Sequence, residues 1–166
     1  MAAYVTVGST GFDELVRTVS TREFLQALAG RGFNRLVVQC GYSFGLFKPP
    51  PTESETFGIA MESFDYTTWP QRLVDQADLI ICHAGAGSIL EALHSGKPTI
   101  AVVNRGLADN HQNEVASELA TTGYLVVTEP RNLASVVAES GYASLRPYPR
   151  ADPRPIGEVI DEETML

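Results

Sequence analysis

The stretch "ICHAGAGSILEAL", residues 81–93, decides the fold class, because it joins the end of one element to the start of another. It continues an apolar run, "DLIICH" (Asp78–His83), that is typical of a strand buried on both faces. Two glycines follow, and residues 86–94 then carry apolar side chains at helical spacing. A strand, a glycine turn and a helix therefore follow one another here, and the turn either only joins them or also holds an anion.

The same alternation recurs along the chain. Further strands are predicted at Ala3–Val7, Arg35–Cys40, Pro98–Val103 and Tyr124–Val127, with a weaker one at Ile59–Phe64. Helices are predicted at Phe12–Ala29, with a possible break at "TVST", and at Ala86–His94, Asn110–Thr121 and Leu133–Glu139. Short strands that alternate with helices over short connections predict a Rossmann-like α/β domain, in which helices cover both faces of a parallel sheet.

Composition narrows the possible functions. A chain of 166 residues, 44% of them hydrophobic, is expected to form one globular domain. Its net charge of -8 and its 12 scattered Lys and Arg residues argue against nucleic-acid binding. Cys40 and Cys82 lie in apolar runs without C-x-x-C spacing, so we expect free core thiols. No window is apolar over the 18 residues that span a bilayer, so we expect a soluble, cytoplasmic protein.

The last part of the chain differs from the rest. Four prolines fall between Arg146 and Pro155, which predicts an extended segment. We therefore divide the chain into a domain at residues 1–148 and a C-terminal tail at 149–166. Ile156, Val159 and Ile160 need a surface to pack against, so the tail is a possible docking segment for a partner chain.

Three segments follow predicted strands, where open parallel sheets bind ligands. They are "GSTGFDEL" (8–15), "HAGAGSILE" (83–91) and "NRGLADNHQNEVA" (104–116). The first two run from glycines into helices, where backbone N–H groups and the helix dipole favour an anion such as a diphosphate. The G-x-G-x-x-G fingerprint of dinucleotide sites is absent, because Leu90 stands in place of the third glycine. No D-x-D metal motif is present, so no catalytic metal is expected.

Several of these residues have two interpretations. Ser88 and Glu91 either form a capping box or leave the Glu91 carboxylate to accept hydrogen bonds from ribose hydroxyls, and the spacing leaves both open. His83 ends a buried strand, which favours a structural role over ligand binding. In "DNHQ" (109–112) the first two residues suit a helix cap, whereas His111 and Gln112 are not needed for one.

Taken together, "VTVGSTGFDEL", "FNRLVVQCG", "ADLIICHAGAGSILEAL", "GKPTIAVVN" and "DNHQNEVASEL" resemble the donor-binding half of inverting glycosyltransferases such as the bacterial peptidoglycan N-acetylglucosaminyltransferase. They are most similar to the small subunits of the eukaryotic UDP-N-acetylglucosamine transferase. The resemblance implies that diphosphate is bound by Gly8, Ser9, Thr10, Gly85, Ala86, Gly87 and Ser88. It implies that Glu91 binds the ribose, and that His83, Asn110, His111 and Gln112 complete the donor site. Val115 stands where the larger relatives have an asparagine.

The resemblance also implies an activity. Such a subunit transfers N-acetylglucosamine from UDP-GlcNAc to GlcNAc-diphosphodolichol, the second step of lipid-linked oligosaccharide assembly for protein N-glycosylation. His111 is the candidate general base of this direct displacement. The resemblance further implies a heterodimer, in which a separate membrane-anchored subunit binds the lipid acceptor and recruits this chain to the cytosolic face of the endoplasmic reticulum. Because a surface of charge -8 repels an anionic lipid diphosphate, we expect the partner to supply a basic acceptor groove.

Two alternatives remain open. The chain is also similar to donor-binding subunits of paired bacterial polysaccharide transferases, which use other UDP-sugars. A module that binds a nucleotide sugar without turning it over is the second alternative, against which the presence of Glu91 and "NHQ" (110–112) argues.

Overall fold

The computed structural model describes residues 1–9, 11–68, 70–104 and 110–149, without the side chains of residues 53 and 110–113. These residues form a parallel sheet of six strands in the order β3-β2-β1-β4-β5-β6. The strands are β1 Ala2–Thr6, β2 Arg35–Gln39, β3 Ala60–Phe64, β4 Leu79–His83, β5 Thr99–Val102 and β6 Val126–Thr128. The predicted parallel sheet is confirmed, with strand ends shifted by at most two residues.

The helices are α1 Asp13–Val19, α2 Arg22–Gly30, α3 Glu53–Thr56, α4 Pro70–Gln76, α5 Ala86–His94, α6 Asn110–Thr121 and α7 Leu133–Glu139. The suspected break near "TVST" is confirmed: Thr21 caps α2, its hydroxyl accepting the Phe24 N–H at 3.3 Å. The sequence analysis missed α3 and α4. Pro70 at the first position of α4 is a signal that could have located that helix.

Two hydrophobic layers hold helices on both faces of the sheet, as predicted. On one face, Val5 and Ile81 pack with α1, α2 and α7. On the other, Tyr4 and Ile80 pack with α4, α5 and α6. Because side chains alternate along a strand, Thr6 lies on the same face as Tyr4. This second face carries the candidate site.

The strand order reverses beside β1, which pairs with β2 on one side and with β4 on the other. After β3 the chain returns through α4 to β4, on the other side of β1. The connection that leaves β1 therefore runs towards one edge of the sheet, and the connection that leaves β4 runs towards the other edge. In doubly wound sheets such a switch opens a crevice at the carboxyl ends of the strands. The first two of the three predicted ligand-binding segments flank this crevice.

The end of the described chain packs on the domain. The Arg146 N–H donates to the Gly123 carbonyl at 2.9 Å. The Tyr148 ring meets Tyr124 and His94 edge to face, at centroid distances of 5.2 and 5.5 Å. Residues 150–166, most of the predicted tail, lie outside the described residues, so its role in docking stays a prediction.

Both cysteines are free and buried, as expected from their apolar surroundings. Burial raises the pKa of the Cys40 thiol to about 11 and that of the Cys82 thiol to about 12. Both are therefore protonated near neutral pH. Among the described residues, no helix has both the length and the apolar character needed to cross a bilayer.

Candidate functional site

A cavity of about 210 Å³ opens at the carboxyl ends of β1 and β2, between α4 and α5. Within the described part of the chain, four of the predicted donor-binding residues line it: Gly8, Ser9, Ser88 and Glu91. They come from two segments that lie nearly 80 residues apart in the sequence. The fold thus brings the first glycine turn and the start of α5 to one cavity, as the position of both turns after adjacent strands requires.

The first glycine turn is held by side chains of the sheet. Gly8 has a φ of +73°, a conformation that glycine adopts without steric cost. Its N–H donates to the Thr6 hydroxyl at 3.2 Å, and its carbonyl accepts from the Gln39 amide at 3.1 Å. Because the Gly8 amide is already used, Gly8 contributes the shape of the turn, and Ser9 is the exposed residue beside the cavity. Thr10 lies outside the described residues.

His83 fills the space between the two glycine turns. A Cβ atom on Gly8 would lie 2.4 Å from its Cε1, and a Cβ on Gly85 would lie 2.2 Å from its Nε2. Glycine is therefore required at both positions while the imidazole occupies this slot. Its Nδ1 is buried and, within the described part of the chain, makes no hydrogen bond. Burial lowers the pKa of His83, so the ring is neutral near pH 7 and offers a hydrogen bond rather than a charge.

The start of α5 decides between the two interpretations of Glu91. The N-cap of the helix is Gly85, so Ser88 is its third residue rather than its cap. A capping box formed by Ser88 and Glu91 is therefore excluded, because that motif needs the serine at the N-cap. The exposed Glu91 lies more than one turn into the helix and lines the cavity. The structure leaves its carboxylate available to a ligand.

The backbone at the start of α5 offers donors to an anion. The Gly85 N–H is used by the His83 carbonyl at 2.8 Å. Ala86, Gly87 and Ser88 are the first three helical residues, whose N–H groups have no partner within a helix. Ala86 and Gly87 are exposed but do not line the cavity itself. Their amides and the helix dipole favour negative charge just outside it.

The floor of the cavity consists of residues that the sequence analysis did not assign. Tyr4, Thr6 and Ile80 lie on the sheet beneath the pocket. Burial raises the pKa of Tyr4 to about 12; a hydrogen bond with Thr6 opposes this shift, and the Glu91 carboxylate adds to it. Tyr4 therefore stays a neutral phenol close to Glu91. The alternation of Tyr4 and Thr6 along β1 is the signal that could have placed both on this face.

The outer wall follows β3. Tyr66 and Thr67 line the cavity, together with Pro70 and Val74 of α4. The Tyr66 hydroxyl donates to the Ser9 carbonyl at 3.2 Å, so this wall contacts the glycine turn. The Tyr66 ring also meets Tyr42 edge to face at 5.9 Å, and both rings are exposed. Sequence reasoning missed this wall, because a single tyrosine after an edge strand carries no distinctive pattern.

The third predicted segment is described only in part. Asn110, His111 and Gln112 form the first turn of α6, but their side chains lie outside the described residues. Their predicted contacts with the sugar therefore stay predictions. In the described ranges, no three His, Cys, Asp or Glu side chains are grouped so as to hold a metal ion.

The fold agrees with comparisons to known proteins. Residues 2–157 match the glycosyltransferase family 28 C-terminal domain. The chain belongs to this family. The protein named UDP-N-acetylglucosamine transferase subunit ALG13 from Homo sapiens is 39% identical over 144 residues, covering 83% of this chain and 12% of that protein. Its Saccharomyces cerevisiae namesake is 32% identical over 178 aligned residues, covering 89% of this chain and 88% of that one.

The chain thus spans 12% and 10% of the length of the human and mouse relatives but most of the yeast one. Among solved structures, the solution structure of ALG13 superimposes with a TM-score of 0.65 at 26% identity, over 95% of this chain and 93% of that one. Acinetobacter baumannii MurG superimposes with a TM-score of 0.59 at 21% identity, over 83% of this chain and 39% of MurG. The likeness to MurG concerns the fold alone.

Proposed function

We propose that this chain is the donor-binding subunit of a UDP-N-acetylglucosamine transferase. The observation that carries the proposal is the shared cavity of Glu91, Ser88 and the Gly8–Ser9 turn. A carboxylate, a helix start and a glycine turn around one pocket suit a ribose joined to a diphosphate. Family membership and the printed names of the relatives support UDP-GlcNAc as the donor.

The proposed donor contacts follow the geometry of the pocket. Glu91 accepts hydrogen bonds from the ribose hydroxyls, above the neutral Tyr4. The base lies against the outer wall of Tyr66 and Pro70. The diphosphate lies between Ser9 and the start of α5, where Ala86, Gly87 and Ser88 offer their amides. His83 contributes to the diphosphate site from between the two glycine turns, and Thr10 extends that site beside Ser9. Asn110 and Gln112 complete the donor site on the side of the sugar.

The proposed reaction is a single displacement with inversion at the anomeric carbon. A hydroxyl of the acceptor sugar attacks, the bond from the anomeric carbon to the UDP oxygen breaks, and UDP leaves with its electron pair. Negative charge grows on the diphosphate, so the amides at the start of α5 stabilise the transition state more than the ground state. His111 takes the proton of the attacking hydroxyl, and no metal ion takes part.

The acceptor is proposed to be GlcNAc-diphosphodolichol, presented by a membrane-anchored partner on the cytosolic face of the endoplasmic reticulum. The word "subunit" in the names of the relatives supports the need for a partner. The net charge of -8 supports binding of the acceptor by the partner rather than by this chain. An acidic chain repels a lipid diphosphate, whereas a basic groove on the partner would attract it. We propose that residues 149–166 dock on that partner.

Binding of donors to the purified chain tests this function. UDP-GlcNAc is expected to raise the melting temperature and to bind more tightly than UDP-glucose or UDP-glucuronate, with the same affinity in EDTA as in magnesium. Thermal shift and calorimetry measure both quantities. A preference for another UDP-sugar would favour a polysaccharide transferase instead. Failure of every UDP-sugar to bind would overturn the proposal, and binding without transfer by the complex with its partner would favour a regulatory module.

Substitution of His111 by alanine tests the general base. In the complex with the acceptor-binding subunit, turnover is expected to fall by about 10² to 10⁴, the usual contribution of a positioned base. The decline of wild-type turnover at acidic pH should disappear in the variant, because protonated histidine no longer limits the rate. Affinity for UDP should change little. Undiminished turnover of His111→Ala would assign the proton transfer to another group.

A further inference from the structure

The side chain of Gln39 connects the two walls of the cavity. Gln39 ends β2 and is only 5% exposed. Its Nε2 donates to the Gly8 carbonyl at 3.1 Å and to the Asp65 carbonyl at 2.8 Å. Its Oε1 accepts from the Thr6 hydroxyl at 2.6 Å. The Gln39 bridge, meaning this amide and its three partners, therefore joins the glycine turn to the segment that carries Tyr66.

The orientation of the amide is fixed by its surroundings. Two carbonyl oxygens flank Nε2, so a rotated amide would place its own oxygen against both of them and lose two hydrogen bonds. The Thr6 hydroxyl donates to Gln39 and accepts from the Gly8 N–H, so the amide oxygen of Gln39 is also held in place. Fully satisfied polar networks of this kind hold one geometry.

Both ends of the bridge reach residues that line the cavity. On one side, Gly8 and Ser9 form the turn proposed to face the diphosphate. On the other, the Asp65 carbonyl also accepts from the Gly41 N–H at 3.0 Å and directly precedes Tyr66. A shift of either wall changes the width of the pocket between the base and the diphosphate.

We infer that Gln39 is a positioning residue that sets the separation of the two pocket walls and thereby the affinity for the nucleotide. The inference rests on the proposed function for the nature of the ligand. The bridge itself rests on the contacts alone, so the two are tested by different measurements.

Gln39→Met, which keeps the length of the side chain and removes its polar atoms, is the main variant. Exchange of the Gly8 and Gly41 amide protons, measured by NMR without ligand, is expected to accelerate about tenfold, because the two walls then open locally. The Kd for UDP is expected to rise by about tenfold, since hydrogen bonds that hold the pocket in its binding geometry are lost. Unchanged exchange at either wall, or an unchanged Kd, would overturn the inference.

Thr99→Val is the matched control. Thr99 is also fully buried in the sheet, and its hydroxyl donates to the Lys97 carbonyl at 3.0 Å, away from the cavity. This variant loses one buried hydrogen bond but should leave both exchange rates and the Kd for UDP near the wild-type values. Equal effects of the two substitutions would show general destabilisation and overturn the inference. If the wild-type chain itself fails to bind UDP, the proposed function is wrong. Amide exchange without ligand still tests whether the Gln39 bridge holds the two walls together.

Gln39→Glu is the second variant, because it keeps size and polarity. An ionised carboxylate would face the Gly8 and Asp65 carbonyls and repel both, whereas a protonated carboxyl donates to one of them. The Kd of this variant for UDP, relative to wild type at the same pH, is therefore expected to improve as the pH is lowered from 8 to 5.5. A ratio independent of pH would contradict a role through these two hydrogen bonds.

Discussion

Replacement of Glu91 by alanine is expected to weaken UDP binding by about 10-fold to 100-fold. Hydrogen bonds to a charged group contribute about 1.5 to 3 kcal/mol each, and 1.4 kcal/mol corresponds to a factor of ten. The exposed position of Glu91 on α5 places the effect nearer the lower figure for each bond, because water competes for the carboxylate. Isothermal titration calorimetry with UDP measures this loss directly.

The comparison with 2′-deoxy-UDP isolates the ribose contact. Wild-type protein is expected to prefer UDP over the deoxy ligand, whereas Glu91→Ala should bind both equally, because the group that senses the 2′-hydroxyl is gone. Glu139→Ala on α7 is the matched control, since it removes an exposed glutamate on the opposite face of the sheet. If Glu91→Ala retained the full preference for UDP, the ribose assignment would be wrong.

The fold was predictable because its signals are local. Each buried strand is a short apolar run, and α5, α6 and α7 begin and end at the predicted residues. Helix α4 was not predicted, because Val74 is the one buried residue among its seven, "PQRLVDQ". The segment therefore carries little periodicity of apolar residues. Its existence depends on packing against the sheet beside β1 rather than on the pattern of its own sequence.

The candidate site was predictable where backbone chemistry determines it. Glycine turns after strands indicated Gly8 and Gly85, and the position of Glu91 after the second turn suggested a ligand. Spacing alone left a capping box and a ribose contact both open; the structure separates them, because the N-cap is Gly85, three residues before Ser88. Tyr4 was not predicted as a site residue, and no role was predicted for Gln39, since both roles depend on strand register, which places Gln39 opposite Thr6.

The second large effect is expected from a substitution that fills the space occupied by the His83 imidazole between the two glycine turns. Gly85→Ala is expected to destabilise the fold by roughly 1 to 3 kcal/mol, the usual cost of overpacking a filled space. Gly85 itself has a φ of -83°, which alanine adopts freely, so the entire cost comes from the imidazole that lies 2.2 Å from the added carbon. Urea unfolding measures the loss, and affinity for UDP should fall with it, because the ring must leave its place between the turns.

Gly87→Ala is the control, since nothing lies within 4 Å of its added carbon and alanine favours a helix over glycine by roughly 1 kcal/mol. It should therefore stabilise the chain. His83→Ala combined with Gly85→Ala should cost less than the sum of the two single substitutions, because the clash no longer exists. The same combination with Gly8→Ala should recover less, since the φ of +73° at Gly8 penalises alanine even without the ring. Strict additivity of His83→Ala and Gly85→Ala would show that His83 does not occupy the slot, and would remove it from the proposed diphosphate site.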